Sequence, residues 1–384
     1  MKLARTLTLV GLGFGSAFAI AAGQGCSSTA TPAGTSSLGR PPQKPADAPT
    51  PSKSEHNYAV KTLLLGDTDR NLTASTTAWK KFGFNIDGKV STKDSTDVCT
   101  PAKGAGKDAQ VDGDNGIDNA FGSRIVPIIQ TFQHEITKTI SDTIAKGSFT
   151  IMIDTVGLTD DAKQTNTGLT GQLYAGAKFK GTPMFAIGES WPVSPSLLAD
   201  GKTLVGGSKV KFGDAFVVNG AWVNGAASDV TLSLGFGDVS LDLTVHQSTI
   251  VFEHAGSTAA NGTIAGVLDT EQFIAGLRKV VSRFSTSFCT GDGFNSIAQQ
   301  IRQASDILSN GTNAAGSDCN GISIGVGFTA AEIAPPKDVA DLGAPTPDMC
   351  ADGGTPVSDD GGAPVDSGTV PVDSGAPPRD GSAG

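Results

Sequence analysis

Apolar and polar residues alternate most strictly between positions 229 and 268. Leu232, Leu234 and Phe236 alternate with Thr231, Ser233 and Gly235, and Val239, Leu241, Leu243 and Val245 alternate with Ser240, Asp242, Thr244 and His246. A period of two places each apolar set on one face of a strand. Gly237-Asp238, between the two runs, has the chemistry of a two-residue hairpin turn. Ile250 and Phe252 carry the pattern on, a second hairpin is expected at 246–249, and Asn261-Gly262 marks the next turn. The prediction is an antiparallel meander with one apolar face. Further strands are expected at 149–156, 171–179, 209–218 and 322–328.

Elsewhere the period lengthens to that of a helix. Ile125, Ile129, Phe132, Ile136, Ile140 and Ile144 share one face, with Pro127 in the first turn and Gly147 at the stop. Phe273, Leu277, Val280 and Phe284 line a second helix near 269–285. Ile297, Ile301 and Leu308 line a third near 294–308, ended by Asn310-Gly311. The expected fold is mainly β with a few helices (α+β): an antiparallel β-sandwich-like single domain with about three amphipathic helices, spanning residues 57–336.

The ends do not fit a core. Lys2 and Arg5 precede an uncharged apolar run, 6–22, which is short for a membrane span. Residues 1–25 are read as a signal peptide, so the GxGxG spacing of Gly11, Gly13 and Gly15 is not a nucleotide loop. Ala19-Ile20-Ala21 fits cleavage after Ala21 and simple secretion, whereas Gly23-Gln24-Gly25-Cys26 fits lipidation at Cys26, with Gly23 a poor match. Two features favour lipidation. Residues 26–56 form a polar Ser/Thr/Pro tether. Setting Cys26 aside also leaves an even number of cysteines, Cys99, Cys289, Cys319 and Cys350, as suits an oxidising compartment. Cys289 and Cys319 bracket the third helix, so Cys289–Cys319 with Cys99–Cys350 is the expected pairing among three possibilities. Residues 337–384 form an Asp/Gly/Pro/Ser tail in which Pro364-Val365-Asp366-Ser367-Gly368 recurs at 371–375.

Removal of Lys2 and Arg5 leaves 26 basic against 38 acidic residues. That balance provides no basic footprint for nucleic acid or anionic lipid. Charged residues are 17% of the chain and glycines number 50, a composition of extracellular β-structure with many turns.

The strongest local signal for chemistry is 108–119, where Asp108, Asp112, Asp114 and Asp118 alternate with small and amide residues. Calcium wants several oxygens from a tightly turning loop. Counted from Asp108, Gly113 falls at the sixth position of an EF-hand-like loop, but Gln110 stands third and Asn119 twelfth. The competing reading is an Asp/Asn/Gly turn that caps the following helix. Asp67-Thr68-Asp69-Arg70-Asn71 is a second, weaker acidic loop in which Leu72 replaces the expected glycine.

Enzyme motifs are incomplete. His134-Glu135-Ile136-Thr137-Lys138 lacks the second histidine of a zinc-protease helix, and Gly188-Glu189-Ser190-Trp191-Pro192 ends in proline where a nucleophile elbow has glycine. If the 246–249 hairpin is tight, Asp242 faces Glu253 and Asp229 faces His246; two opposed carboxylates would suit a glycosidase. Trp79, Trp191, Trp222 and Tyr174 are either sugar-stacking platforms or packing residues.

The Gly25-Cys26-Ser27-Ser28 junction, the polar leader and the tail resemble large predicted lipoproteins of myxobacteria and related lineages. Segments 79–88, 112–122 and 322–328 resemble recurring stretches in uncharacterised proteins of that group. The resemblance implies no activity, so it transfers no functional residue. The expectation is a lipid-anchored envelope or surface protein at the outer membrane or cell surface, otherwise periplasmic or extracellular. It would be a non-enzymatic binding or structural module with a carbohydrate or envelope-protein partner and structural calcium. The alternative is a secreted hydrolase acting on polysaccharide.

Overall fold

In the computed structural model the residues described are 39–131, 133–236, 239–281 and 292–341. Within them the chain runs through β1 (Glu55–Leu64), α1 (Val126–Gln130), α2 (Ile136–Ala145), β2 (Thr150–Val156), β3 (Asn166–Gly176), β4 (Val210–Val218) and β5 (Ala221–Val223). It continues through β6 (Ser228–Phe236), β7 (Val239–Ala255), β8 (Thr258–Asp269), α3 (Thr270–Val281), α4 (Asp292–Arg302) and β9 (Gly321–Ile333).

The strands form one antiparallel sheet in the order β5-β4-β3-β2-β1-β9-β8-β7-β6, and β5 also pairs with β7 through Ala221↔Glu253, Trp222↔Phe252 and Val223↔Val251. Eight strands therefore close into a barrel, and β6 lies beside the first half of β7. This corrects the sandwich expected from the alternation. The cause lies in β7. The hairpin expected at 246–249 does not form; the register shifts there, with Gln247 at φ 52°, and the strand continues for 17 residues. One strand thus reaches β6 with its first half and β5 with its second. Closure pairs backbone groups that an open sheet would leave at its edges.

The turn after β7 falls at Gly256-Ser257, where Ala255 pairs with Thr258 and Gly256 takes φ 58°. Asn261-Gly262, expected as that turn, is a bulge inside β8. A Cβ on Gly262 would stand 2.6 Å from the Phe328 ring. The expected β6–β7 connection agrees with the register Phe236↔Val239, and residues 237–238 themselves lie outside the described residues.

Aromatic side chains fill the barrel. Phe252 stands 5.0 Å from Trp222, 5.3 Å from Tyr58 and 6.3 Å from Phe328, and Phe212 stands 6.0 Å from Trp222, centroid to centroid. Tyr58, Trp222, Phe252 and Phe328 are all buried. Gly171 makes room for this cluster, since a Cβ there would lie 3.1 Å from the Trp222 ring. On the outer face, Trp191 packs with Ala59, Met152, Tyr174 and Ile333 under the 177–209 loop.

The isoleucine stripe of 125–144 is one apolar face but not one helix. A π turn at Phe121–Ile125 leads into α1, and α2 restarts at Ile136. Ile125, Ile136, Ile140 and Ile144 join the main core, while Phe132 lies outside the described residues. Helices α3 and α4 occupy the other two expected places and send Phe273, Ile274, Ile297 and Ile301 into the same core.

Residues 39–54, read from sequence as part of the tether, lie along the barrel. Lys44 pairs with Asp214, and Pro49 O accepts from Thr167 N and Asn166 Nδ2. The expected signal peptide and Cys26, with the tail beyond 341, lie outside the described residues.

Candidate functional site

Between the 3-10 turn at Ala78–Lys81 and the π turn, residues 82–120 form no regular strand or α-helix. Short polar side chains organise this stretch instead. A turn at Asp114–Gly116, with Asn115 at φ 59° and Gly116 at φ 80°, returns the chain so that Asp118 N donates to Phe84 O. Asp118 is 2% exposed, and its Oδ2 accepts from Ile86 N at 2.6 Å and from Asp87 N at 3.3 Å. Asp112 is tied to Ser91 in both directions. Its Oδ2 accepts from Ser91 N, and its own amide donates to Ser91 O. The Asp112 and Asp118 carboxyl groups lie close enough to interact.

Two more acids complete the cluster. Asp87 accepts from Lys89 N with Oδ1 and from Asn313 Nδ2 with Oδ2. Asp306 accepts from Ser323 N at 2.8 Å and Ser323 Oγ at 2.6 Å. Burial, reinforced by the Asp87 charge, pushes Asp112 up to about 7. Burial, then the Asp87, Asp112 and Asp306 charges, holds Asp118 well above the carboxylate range. Burial pushes Asp306 up to about 7 against the pull of its Ser323 bonds. Among the described residues, no lysine or arginine pairs with these four acids. Two buried oxygens of the 85–91 stretch, Asn85 Oδ1 and Ser91 Oγ, have no hydrogen-bond partner.

Of the four acids expected in a cation loop, the structure brings Asp112 and Asp118 together and sends the others outward. Asp108 is exposed and pairs with Arg124 at 2.8 Å; that bond holds its carboxyl below the usual range. Asp114 is exposed at the turn. An EF-hand-like count from Asp108 therefore does not describe the loop. Asn119, its twelfth position, is a staple. Its Oδ1 accepts from Gly122 N and Gly325 N, and its Nδ2 donates to the carbonyls of Trp79, Phe82 and Gly325. Sequence reasoning missed Asn85, Asp87, Ser91 and Asp306. The first three sit around Asn85-Ile86-Asp87-Gly88, an Asx/Gly turn visible in the sequence, but Asp306 has no local signature.

The disulfide lies alongside. Cys99 is bonded to Cys319, which replaces the expected Cys289–Cys319 pairing and with it Cys99–Cys350. The expected pairing rested on proximity in sequence. In the fold, Thr100 pairs with the chain at 317–319 by backbone hydrogen bonds and brings the two sulfurs together. Cys289 and Cys350 lie outside the described residues. Asn313 connects the bridge to the acids: its Oδ1 accepts from Cys99 N and its Nδ2 donates to Asp87.

The other candidates separate. Asp242 and Glu253 lie on one continuous strand, eleven residues apart, a span of about 35 Å at the rise of a β-strand and far beyond glycosidase spacing. Asp242 accepts from Ser233, Glu253 accepts from Asn261, and Asp229 meets His246 at 3.0 Å as expected. Ser190 Oγ donates to Pro335 O, and the Glu189 carboxylate receives the amides of Met184 and Ala186. Asp69 caps its own turn, and Asp67 accepts from Thr137 at the start of α2. Trp191, Trp222 and Tyr174 are buried and unable to present a sugar platform; Trp79 is half-buried with the Lys80 ammonium 5.7 Å from its ring centroid. At the end of the barrel where β1 begins, His56 meets Glu332 at 2.8 Å, and His254 is 2% exposed with neither ring nitrogen bonded. Burial, then the nearby His56, keeps the His254 imidazole below its ordinary pKa.

No protein-family profile, curated protein or solved structure matches the chain.

Proposed function

We propose that this chain is an exported, lipid-anchored envelope protein whose barrel domain is a non-enzymatic binding or structural module. The observation that carries the reading is the Cys99–Cys319 disulfide, whose Cys99 half is buried, a bond that persists in oxidising compartments. It accords with the positive, apolar N-terminus that ends at Gly25-Cys26 and with the polar leader behind it. The filled barrel supports a structural or surface-binding role, because aromatic side chains occupy the interior that a larger barrel gives to a ligand. The wide separation of Asp242 and Glu253 favours this reading over a polysaccharide hydrolase built on that pair.

The test is the intact mass of the mature chain and its partition between membrane and soluble fractions. A diacylglyceryl-modified Cys26 at the N-terminus is expected, with Cys26→Ser releasing the protein from membranes. An unmodified start at Ala22 would overturn lipid anchoring and leave a secreted protein.

A further inference from the structure

We propose that Asp112 and Asp118, with Asn85 Oδ1 and Ser91 Oγ, form the oxygen site of one calcium-type divalent cation. Two carboxyl groups gather the same short, Gly-punctuated segment: Asp118 accepts from the amides of Ile86 and Asp87, and Asp112 accepts from the amide of Ser91. Two neutral oxygens adjoin them without partners. Ser91 is 4% exposed, its amide is already on Asp112, and its hydroxyl has no partner. Asn85 is 7% exposed, and the next amide in the chain, Ile86 N, is on Asp118. A buried polar atom without a partner is destabilising. Here the orphans are both oxygens, and both belong to the 85–91 stretch whose amides the two acids hold.

The donor chemistry selects the ion. Among the described residues, no three His, Cys, Asp or Glu side chains stand close enough to hold a metal by themselves. The set is therefore two carboxylates completed by amide and hydroxyl oxygens. Calcium accepts such mixed oxygen ligands at irregular geometry, whereas magnesium demands a near-ideal octahedron and zinc favours nitrogen and sulfur. Binding would tighten the 82–92 stretch against the 112–118 turn, two segments joined by two backbone bonds and by the amides that the Asp112 and Asp118 carboxyls hold.

The experiment uses the full chain stripped with EDTA, with Ca²⁺ and Tb³⁺ as probes. Calorimetry should show one Ca²⁺ per chain, and Ca²⁺ should raise Tm by about 5 °C. Tb³⁺ luminescence should be sensitised by tryptophan, because Trp79 is bonded to Asn119, the neighbour of Asp118, and Ca²⁺ should quench it by competition. Asp118→Asn should weaken binding at least tenfold and Ser91→Ala several-fold, while Asp108→Asn and Asp114→Asn bind as the parent does. Should Asp118→Asn fail to fold, Ser91→Ala decides. Absence of binding by the parent chain would overturn the site, as would parent-like affinity in Ser91→Ala or equal losses in Asp108→Asn. None of these outcomes bears on the lipid anchor, which the mature mass tests separately.

Discussion

The barrel and the 82–120 flank are held by opposite means. In the barrel, alternating side chains bury aromatics, and closed ladders pair the backbone. In the flank, a disulfide, a stapling asparagine and buried acids replace regular structure. Apolar burial is additive and indifferent to redox state or proton concentration. Buried acids and a long-range cross-link are sensitive to both. The flank should therefore respond to conditions that leave the barrel unchanged. They meet at Gly325 of β9, where a Cβ would stand 2.3 Å from Phe82 O.

Three experiments test that contrast. The largest effect is expected in the barrel. Trp222→Ala empties the centre of the aromatic cluster and should cost about 4 kcal/mol, read as a lower urea midpoint with ladder amides losing protection together. A loss under about 1 kcal/mol would mean that the aromatics do not carry the barrel.

Next comes the bridge. Cys99 and Cys319 are 220 residues apart in sequence, so the chain-entropy account assigns their bond roughly 5 kcal/mol, with native disulfides giving 2–5 kcal/mol in practice. The Cys99→Ser/Cys319→Ser double variant should lose about 3 kcal/mol. Hydrogen exchange should accelerate first at 83–119 and 306–320. Equal acceleration in barrel and flank would show that they unfold as one unit and dissolve the contrast.

The smallest effect concerns protons. Asp306 holds its proton in the fold up to about pH 7, while in the unfolded chain it releases it near pH 3.9. Below pH 4 both states carry the proton, and the fold has its full contribution from this group. As pH rises from about 4 to about 7 the unfolded chain deprotonates first, so stability falls, and it levels off above 7. Asp306→Asn keeps an oxygen to accept the Ser323 amide and cannot titrate. In EDTA, the variant should gain on the parent by about 2–3 kcal/mol between pH 4.5 and 7.5, at up to 1.4 kcal/mol per pH unit. A constant difference across that range would remove Asp306 from the proton balance.

Legibility followed the same division. The period-two runs of β6 and β7, the strands at 149–156 and 209–218 and the apolar stripes of α2, α3 and α4 were readable because they depend on neighbours in sequence. The flank was half readable. Asp112 and Asp118 stood out as members of a turning acidic loop, but so did Asp108 and Asp114, which face solvent. Asp306 was hidden, since its partner Ser323 lies in another element.

The sequence by itself determined that the body is β-rich, which stripes go inside and that one acidic turn concentrates oxygen donors. Tertiary structure alone decided that β7 passes through 246–249 as a bulge, so that the sheet closes on β5 and separates Asp242 from Glu253. It also chose Cys319 as the partner of Cys99 and gathered Asp87, Asp112, Asp118 and Asp306 from distant segments. The physical reason is range. Side-chain periodicity is a property of adjacent residues, whereas strand closure, sulfur pairing and carboxylate gathering join positions tens to hundreds of residues apart.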